Sequence, residues 1–112
     1  MRRFESVTPE LSVIRERHRL VLTLLRLDPG AALSRAADLA RDELPEAIAA
    51  CGGGPAFTNG RGSLRIEATG DGGTLLGFTD PGLSAAECRL DAEGSRRLAA
   101  ALAELGRPRD GA

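Results

Sequence analysis

The chain has 112 residues, 42% hydrophobic and 28% charged, and its 15 basic and 16 acidic side chains leave a net charge of −1. That is the composition of one soluble globular domain. It excludes a polybasic nucleic-acid or membrane-surface protein, a disulfide framework, and a chain disordered throughout.

Lys, Trp, Tyr and Gln are absent, and Ala, Gly, Arg and Leu dominate. This points to a GC-rich bacterial genome. The only aromatics are Phe4, Phe57 and Phe78, so a core must come from Leu, Val, Ile and Ala. Stacking of bases on aromatic rings is nearly unavailable. The most apolar run, Leu20 to Leu27, is broken by Thr23 and Arg26 and falls far short of the ~20 residues that span a bilayer. No apolar segment follows Met1-Arg2-Arg3, so the expected location is cytoplasmic, with reduced cysteines.

The first expected element is a helix from Thr8 to Leu27. Thr8 can cap it, Pro9 suits its first position, and Glu10 complements the dipole. Leu11, Ile14, His18, Val21 and Leu25 follow at helical spacing, beside a second row of Val13, Leu20, Leu24 and Leu27. A buried strand over Leu20–Leu27 is the competing reading, set aside because the helical rows run unbroken from Leu11. Asp28-Pro29-Gly30 then stops one helix and starts another over 31–43, with Leu33, Ala36, Ala37, Ala40 and Leu44 as its stripe. Pro45 breaks it, and a short helical piece ends at Cys51.

Residues 52–62, rich in glycine, read as a flexible connector. The period then changes. Leu64, Ile66 and Ala68 alternate with polar residues, as a half-buried strand does. Gly70-Asp71-Gly72-Gly73 reads as a hairpin turn, Thr74 to Thr79 as the return strand, and Ala86, Cys88 and Leu90 as a third strand. Asp91 caps a last helix with Leu98, Leu102 and Leu105 inward, ended by Gly106 and Pro108.

The expected fold is therefore α+β: N-terminal helices, a three-stranded antiparallel meander, and a C-terminal helix packed on one sheet face. Residues 1–106 form one domain, with a helical half at 8–51, the loop at 52–62, and the meander and helix at 63–106. The tail 107–112 reads as disordered.

The chemistry-bearing residues are few. His18 is the only histidine, and two separate cysteines do not complete a zinc ligand set. Cys51 lies at an expected helix C-terminus, where the dipole disfavours a thiolate, and Cys88 alternates into the apolar face. Gly52-Gly53-Gly54-Pro55 lacks the strand before, the helix after and the lysine of a phosphate-binding loop. Asp42, Glu43 and Glu46 read as a solvated face. No catalytic, cofactor or metal residues are assigned, and no enzyme, cofactor, membrane or small-molecule substrate is expected.

What remains is protein binding: an accessory, adaptor or inhibitor-type protein that self-associates. The second apolar row of the first helix supplies the expected interface, Leu20, Leu24 and Leu27. The alternatives are a winged-helix-like DNA-binding regulator and a small enzyme or ligand-binding subunit. The winged-helix reading lacks basic residues on its would-be recognition helix, 45–51, and carries Asp71 at the hairpin tip.

Overall fold

The structure is a computed structural model and describes residues 3–28 and 31–107. It is α+β, with two antiparallel sheets of four strands each and two helices. The N-terminal sheet holds β1 (Phe4–Ser6), β2 (Leu11–Glu16), β3 (Arg19–Asp28) and β4 (Ala31–Ala40), in that spatial order. A 3-10 turn, Arg41–Glu43, leads into α1 (Leu44–Cys51). The C-terminal sheet holds β5 (Phe57–Thr58), β6 (Leu64–Ala68), β7 (Thr74–Phe78) and β8 (Ala86–Leu90), again in chain order. Helix α2 (Ala92–Leu105) follows. The chain thus runs four strands and a helix twice.

Where helices are expected over 8–27 and 31–43, the chain instead forms β2, β3 and β4, with 41–43 in the 3-10 turn. Thr8 does cap backbone amides, those of Glu10 and Leu11 at 3.1 and 3.0 Å, but it does so inside the β1–β2 turn. Leu11 and Val13 on β2, and Leu20, Leu22 and Leu24 on β3, are buried at a period of two. The set-aside strand over Leu20–Leu27 lies within β3. Its ten residues pair with all ten of β4, from Arg19↔Ala40 to Asp28↔Ala31. That register turns the Ala-rich stretch 31–40 into a strand despite its helical propensity, because β3 offers a full ladder and a buried face. Residues 29–30, expected to separate two helices, lie outside the described residues. Pro45 begins α1 rather than breaking a helix, as its fixed φ and missing N–H allow.

The second half follows its sequence pattern more closely. Leu64, Ile66, Leu76, Phe78, Ala86, Cys88 and Leu90 are all buried, and the alternate residues Arg65, Glu87 and Arg89 are exposed. The 68–74 turn uses Gly70 and Gly72 at φ of 87° and 90°. Asp91 caps α2 through Gly94 N at 2.8 Å. Leu98, Leu102 and Leu105 face inward.

The meander has a fourth strand, β5, within the expected connector. Residues 52–62 are tied at several points. Phe57 is buried against the core, and Asn59 is 4% exposed. Gly60 N donates to Glu43 Oε2 at 2.6 Å. The expectation of a free connector fails because polar side chains anchor the loop. Of the expected disordered tail, only Arg107 lies within the described residues.

One core joins the halves. Helix α2 packs against β1 and β2 of one sheet and β7 and β8 of the other, α1 packs against α2, β5 and β6, and β4 meets β7. No helix among the described residues is long and apolar enough to cross a membrane.

Candidate interaction surface

Sheet alternation sends every second residue of the N-terminal sheet away from the core. Cross-strand registers arrange these outer residues in rows. One row is Phe4, Ile14, Val21 and Asp38; the next is Ser6, Ser12, Thr23 and Ala36. Leu25 then pairs with Ser34, and Leu27 with Ala32, toward the end of the β3–β4 hairpin. Within these rows the only charged side chain is Asp38, at the β4 edge. Phe4 and Leu25 are each 47% exposed and Leu27 is 72% exposed. Neither helix covers this face: α2 lies on the core side, against the strands whose inward leucines it touches.

The other sheet provides the contrast. Its outer face carries Arg65, Glu67, Glu87 and Arg89, the usual solvated pattern of a one-sided antiparallel sheet. Arg65 and Glu67 pair at 3.2 Å. In one molecule, then, one outer face intersperses four charges with Leu75 and Gly77, and the other is apolar, Ser/Thr and Ala apart from Asp38 and the Glu16–Arg19 pair at one end.

Charge gathers where the uncharged rows stop. Arg19 Nη2 meets Glu16 Oε1 at 3.1 Å, and Arg19 Nη1 meets Asp38 Oδ2 at 3.1 Å. Arg61 Nε approaches the same Asp38 oxygen at 3.9 Å. Glu16, and after it Asp38, raise the pKa of Arg19 above its ordinary value. A cavity beside this cluster is lined by Arg19, Val21, Asp38, Arg61 and Asp80, among others.

The free edge of β4 is capped by side chains at Ser34, Asp38 and Ala40. Backbone groups directed away from β3 belong to its even-numbered residues. Asn59 Nδ2 donates to Asp38 O at 2.9 Å, and the Arg35 guanidinium donates to Ser34 O at 2.8 Å while also binding Ser84 O. Ala40 N donates to Glu43 Oε1 at 2.8 Å. Such caps protect a long edge strand from pairing with another chain.

The residues singled out in the sequence fall as follows. Leu20 and Leu24 point into the core at 3% and 0% exposure, so only Leu27 of the expected trio reaches the surface. The reason is the period: helical spacing groups 20, 24 and 27, whereas a strand groups 21, 23, 25 and 27. Leu25, which helical reading put on a different row, is Leu27's true neighbour. A period-two reading of the competing strand would have found it.

His18 is exposed in the two-residue turn between Glu16 and Arg19. It borders a shallow cavity lined by Arg3, Arg15, Glu16, Arg17 and Arg19. Arg15 and Arg41 both donate to the Arg107 carbonyl, at 3.0 and 3.4 Å, just beyond the C-terminal end of α2. Cys51 and Cys88 are free, buried thiols, and burial pushes both pKa values up, that of Cys51 to about 11. Glu43, read as solvated, instead accepts from two backbone amides. Among the described residues no three His, Cys, Asp or Glu side chains are grouped to hold a metal ion. The helix order behind the winged-helix reading is absent, because β2, β3, β4 and the 3-10 turn occupy 10–27 and 31–43.

No protein-family model, curated protein or solved structure matches the chain.

Proposed function

We propose that this protein acts by binding another protein chain, as an accessory, adaptor or inhibitor-type protein, through the outer face of its N-terminal sheet. The observation that carries the reading is the contrast between the two sheets. A solvated antiparallel face is ordinarily polar. The outer face of the C-terminal sheet obeys that rule, and the face bearing Phe4, Val21, Leu25 and Leu27 does not. Apolar surface left in water costs about 25 cal/mol per Å², which a covering partner recovers. Contiguous exposed apolar surface on a small domain marks an interaction site.

The test replaces the leucines outside the core. A tagged Leu25→Glu/Leu27→Glu protein is compared with the unaltered one for capture of proteins from its native host. The double variant is expected to keep its thermal unfolding midpoint and to lose the captured partner. Capture that is unchanged with both glutamates in place would remove the basis of the reading.

A further inference from the structure

We propose that the arginine-lined hollow at the β2–β3 turn binds a phosphate-type oxyanion, a group carrying two or more negative charges. The proposal is independent of the apolar sheet face and uses none of Phe4, Val21, Leu25 and Leu27.

The chain has a net charge of −1, yet several of its arginines gather at this one end. Arg3, Arg15, Arg17 and Arg19 line a cavity of about 490 Å³, together with His18 and a single carboxylate, Glu16. Arg41 joins Arg15 and Arg17 along an adjoining cleft. Some of these cations have a place in the fold. Arg19 holds Glu16 through Nε and Nη2, at 3.3 and 3.1 Å, and reaches Asp38. Arg15 and Arg41 donate to the Arg107 carbonyl beyond α2. Arg3 and Arg17 have no such task. Both are exposed, and among the described residues no carboxylate pairs with either. The one acid at the hollow is already engaged by Arg19, so the remaining guanidiniums are in surplus.

This placement opposes stability until something negative fills it. Arg15 N donates to Arg3 O at 2.7 Å, so the two residues stand opposite each other, one step beyond the Phe4↔Ile14 pair of β1 and β2. Like charges directly opposed across strands destabilise a sheet. Arg17 adds a further guanidinium from the turn. An anion among them turns the repulsion into attraction.

The charge balance selects the ligand chemistry. A lone carboxylate would satisfy one guanidinium and leave the others opposed. A phosphate-type group offers three acceptor oxygens, enough for a fork from each of Arg3 and Arg17 and a further N–H from Arg15 or His18. The cavity volume lies within the roughly 300–1,000 Å³ typical of small-ligand sites. A nucleic-acid strand is a poorer match, because it needs cations along successive phosphates, and these converge on one place.

Isothermal titration calorimetry of the full chain with sodium pyrophosphate, at low ionic strength to limit screening, tests the proposal. Saturable binding is expected. Arg3→Ser and Arg17→Ser are each expected to weaken it about tenfold, and the double variant to abolish it. Arg89→Ser, on the outer face of the other sheet, is expected to leave it unchanged. The double variant is expected to unfold at or above the midpoint of the unaltered chain, since it removes like-charge repulsion, and pyrophosphate is expected to raise the midpoint of the unaltered chain alone. If the double variant unfolds early, the single variants carry the comparison. No saturable binding, binding indifferent to both single variants, or binding weakened equally by Arg89→Ser would each overturn the proposal. A phosphoserine peptide distinguishes the sources of the group. Binding tighter than that of pyrophosphate places the oxyanion on a protein, weaker binding places it on a small phosphate compound, and either result supports the site.

Discussion

Asn59 is the chain's one asparagine, and its side chain holds four hydrogen bonds. Its amide nitrogen donates to Asp38 O and to Ser63 Oγ, both at 2.9 Å; its oxygen accepts from Ser63 N and Leu64 N. One side chain thereby joins β4 to the turn that starts β6. Asn59→Ala is expected to cost about 2–4 kcal/mol, since it strands buried backbone groups as well as losing bonds, and urea unfolding measures it. The cysteines give a second residue-scale expectation. Burial raises the Cys51 thiol from its ordinary 9.0 to about 11. A group whose folded pKa is raised leaves stability intact below the unfolded value and takes it away as pH climbs toward the folded one. Lys and Tyr, which ordinarily titrate at about 10, are absent. Stability is thus expected to fall between pH 9 and 11 by about 2–3 kcal/mol. Cys51→Ala should flatten most of that slope, and Cys88, shifted in the same direction by its burial, should account for the remainder.

At the scale of elements, β3 decides between two readings of the same leucines. As a strand it buries Leu20, Leu22 and Leu24 and exposes Leu25 and Leu27. Leu22→Ala and Leu24→Ala are therefore expected to cost about 2–5 kcal/mol each, while Leu27→Ala stays within about 0.5 kcal/mol of the parent. A helix would group Leu24 with Leu27 and make Leu22 the odd one out, so the three values together discriminate. The helical reading was attractive because Thr8-Pro9-Glu10 is sound capping chemistry and the 3-4-3-4 row from Leu11 is real. Both features are local, and a turn uses Thr8 equally well. The β-branched residues Val13, Ile14, Val21 and Thr23 favoured the strand. In the second half, the switch to period two, the Gly70–Gly73 turn and the Asp91 cap left no rival pattern, and the register followed.

The whole molecule is held by α2. It touches strands of both sheets, and its Leu98, Leu102 and Leu105 belong to the same buried cluster as Leu11, Val13 and Leu22. The repeated order of four strands and a helix does not make two independent units, because the inner face of the first sheet is completed by the last helix. A chain ending at residue 90 is expected to lose the far-UV signal of a folded protein, and amides of β2 and β3 should exchange as fast as those of β7. Persistent protection of the N-terminal strands in that truncation would show that the first half folds alone. The full chain is expected to unfold in one transition, with far-UV circular dichroism and hydrogen exchange giving the same stability.

By itself, the sequence determined the α+β class, the alternation of β6 to β8, both ends of α2 and the burial of Phe78, because each is written in residues a few positions apart. It also made protein binding the expected function and put the surface at Leu20, Leu24 and Leu27, of which Leu27 alone is exposed. The tertiary structure decided the rest. Whether 11–40 coils or extends depends on the β3–β4 ladder, and thus on residues up to 21 positions apart. The anchoring of 52–62 depends on Asn59 and Glu43 finding backbone groups on β4 and beyond it. The largely apolar face exists only once β1 to β4 lie side by side, since Phe4, Ile14, Val21 and Leu25 share no local pattern until cross-strand pairing aligns them. Periodicity reports which residues face one way along an element; only the pairing of elements says what that face becomes.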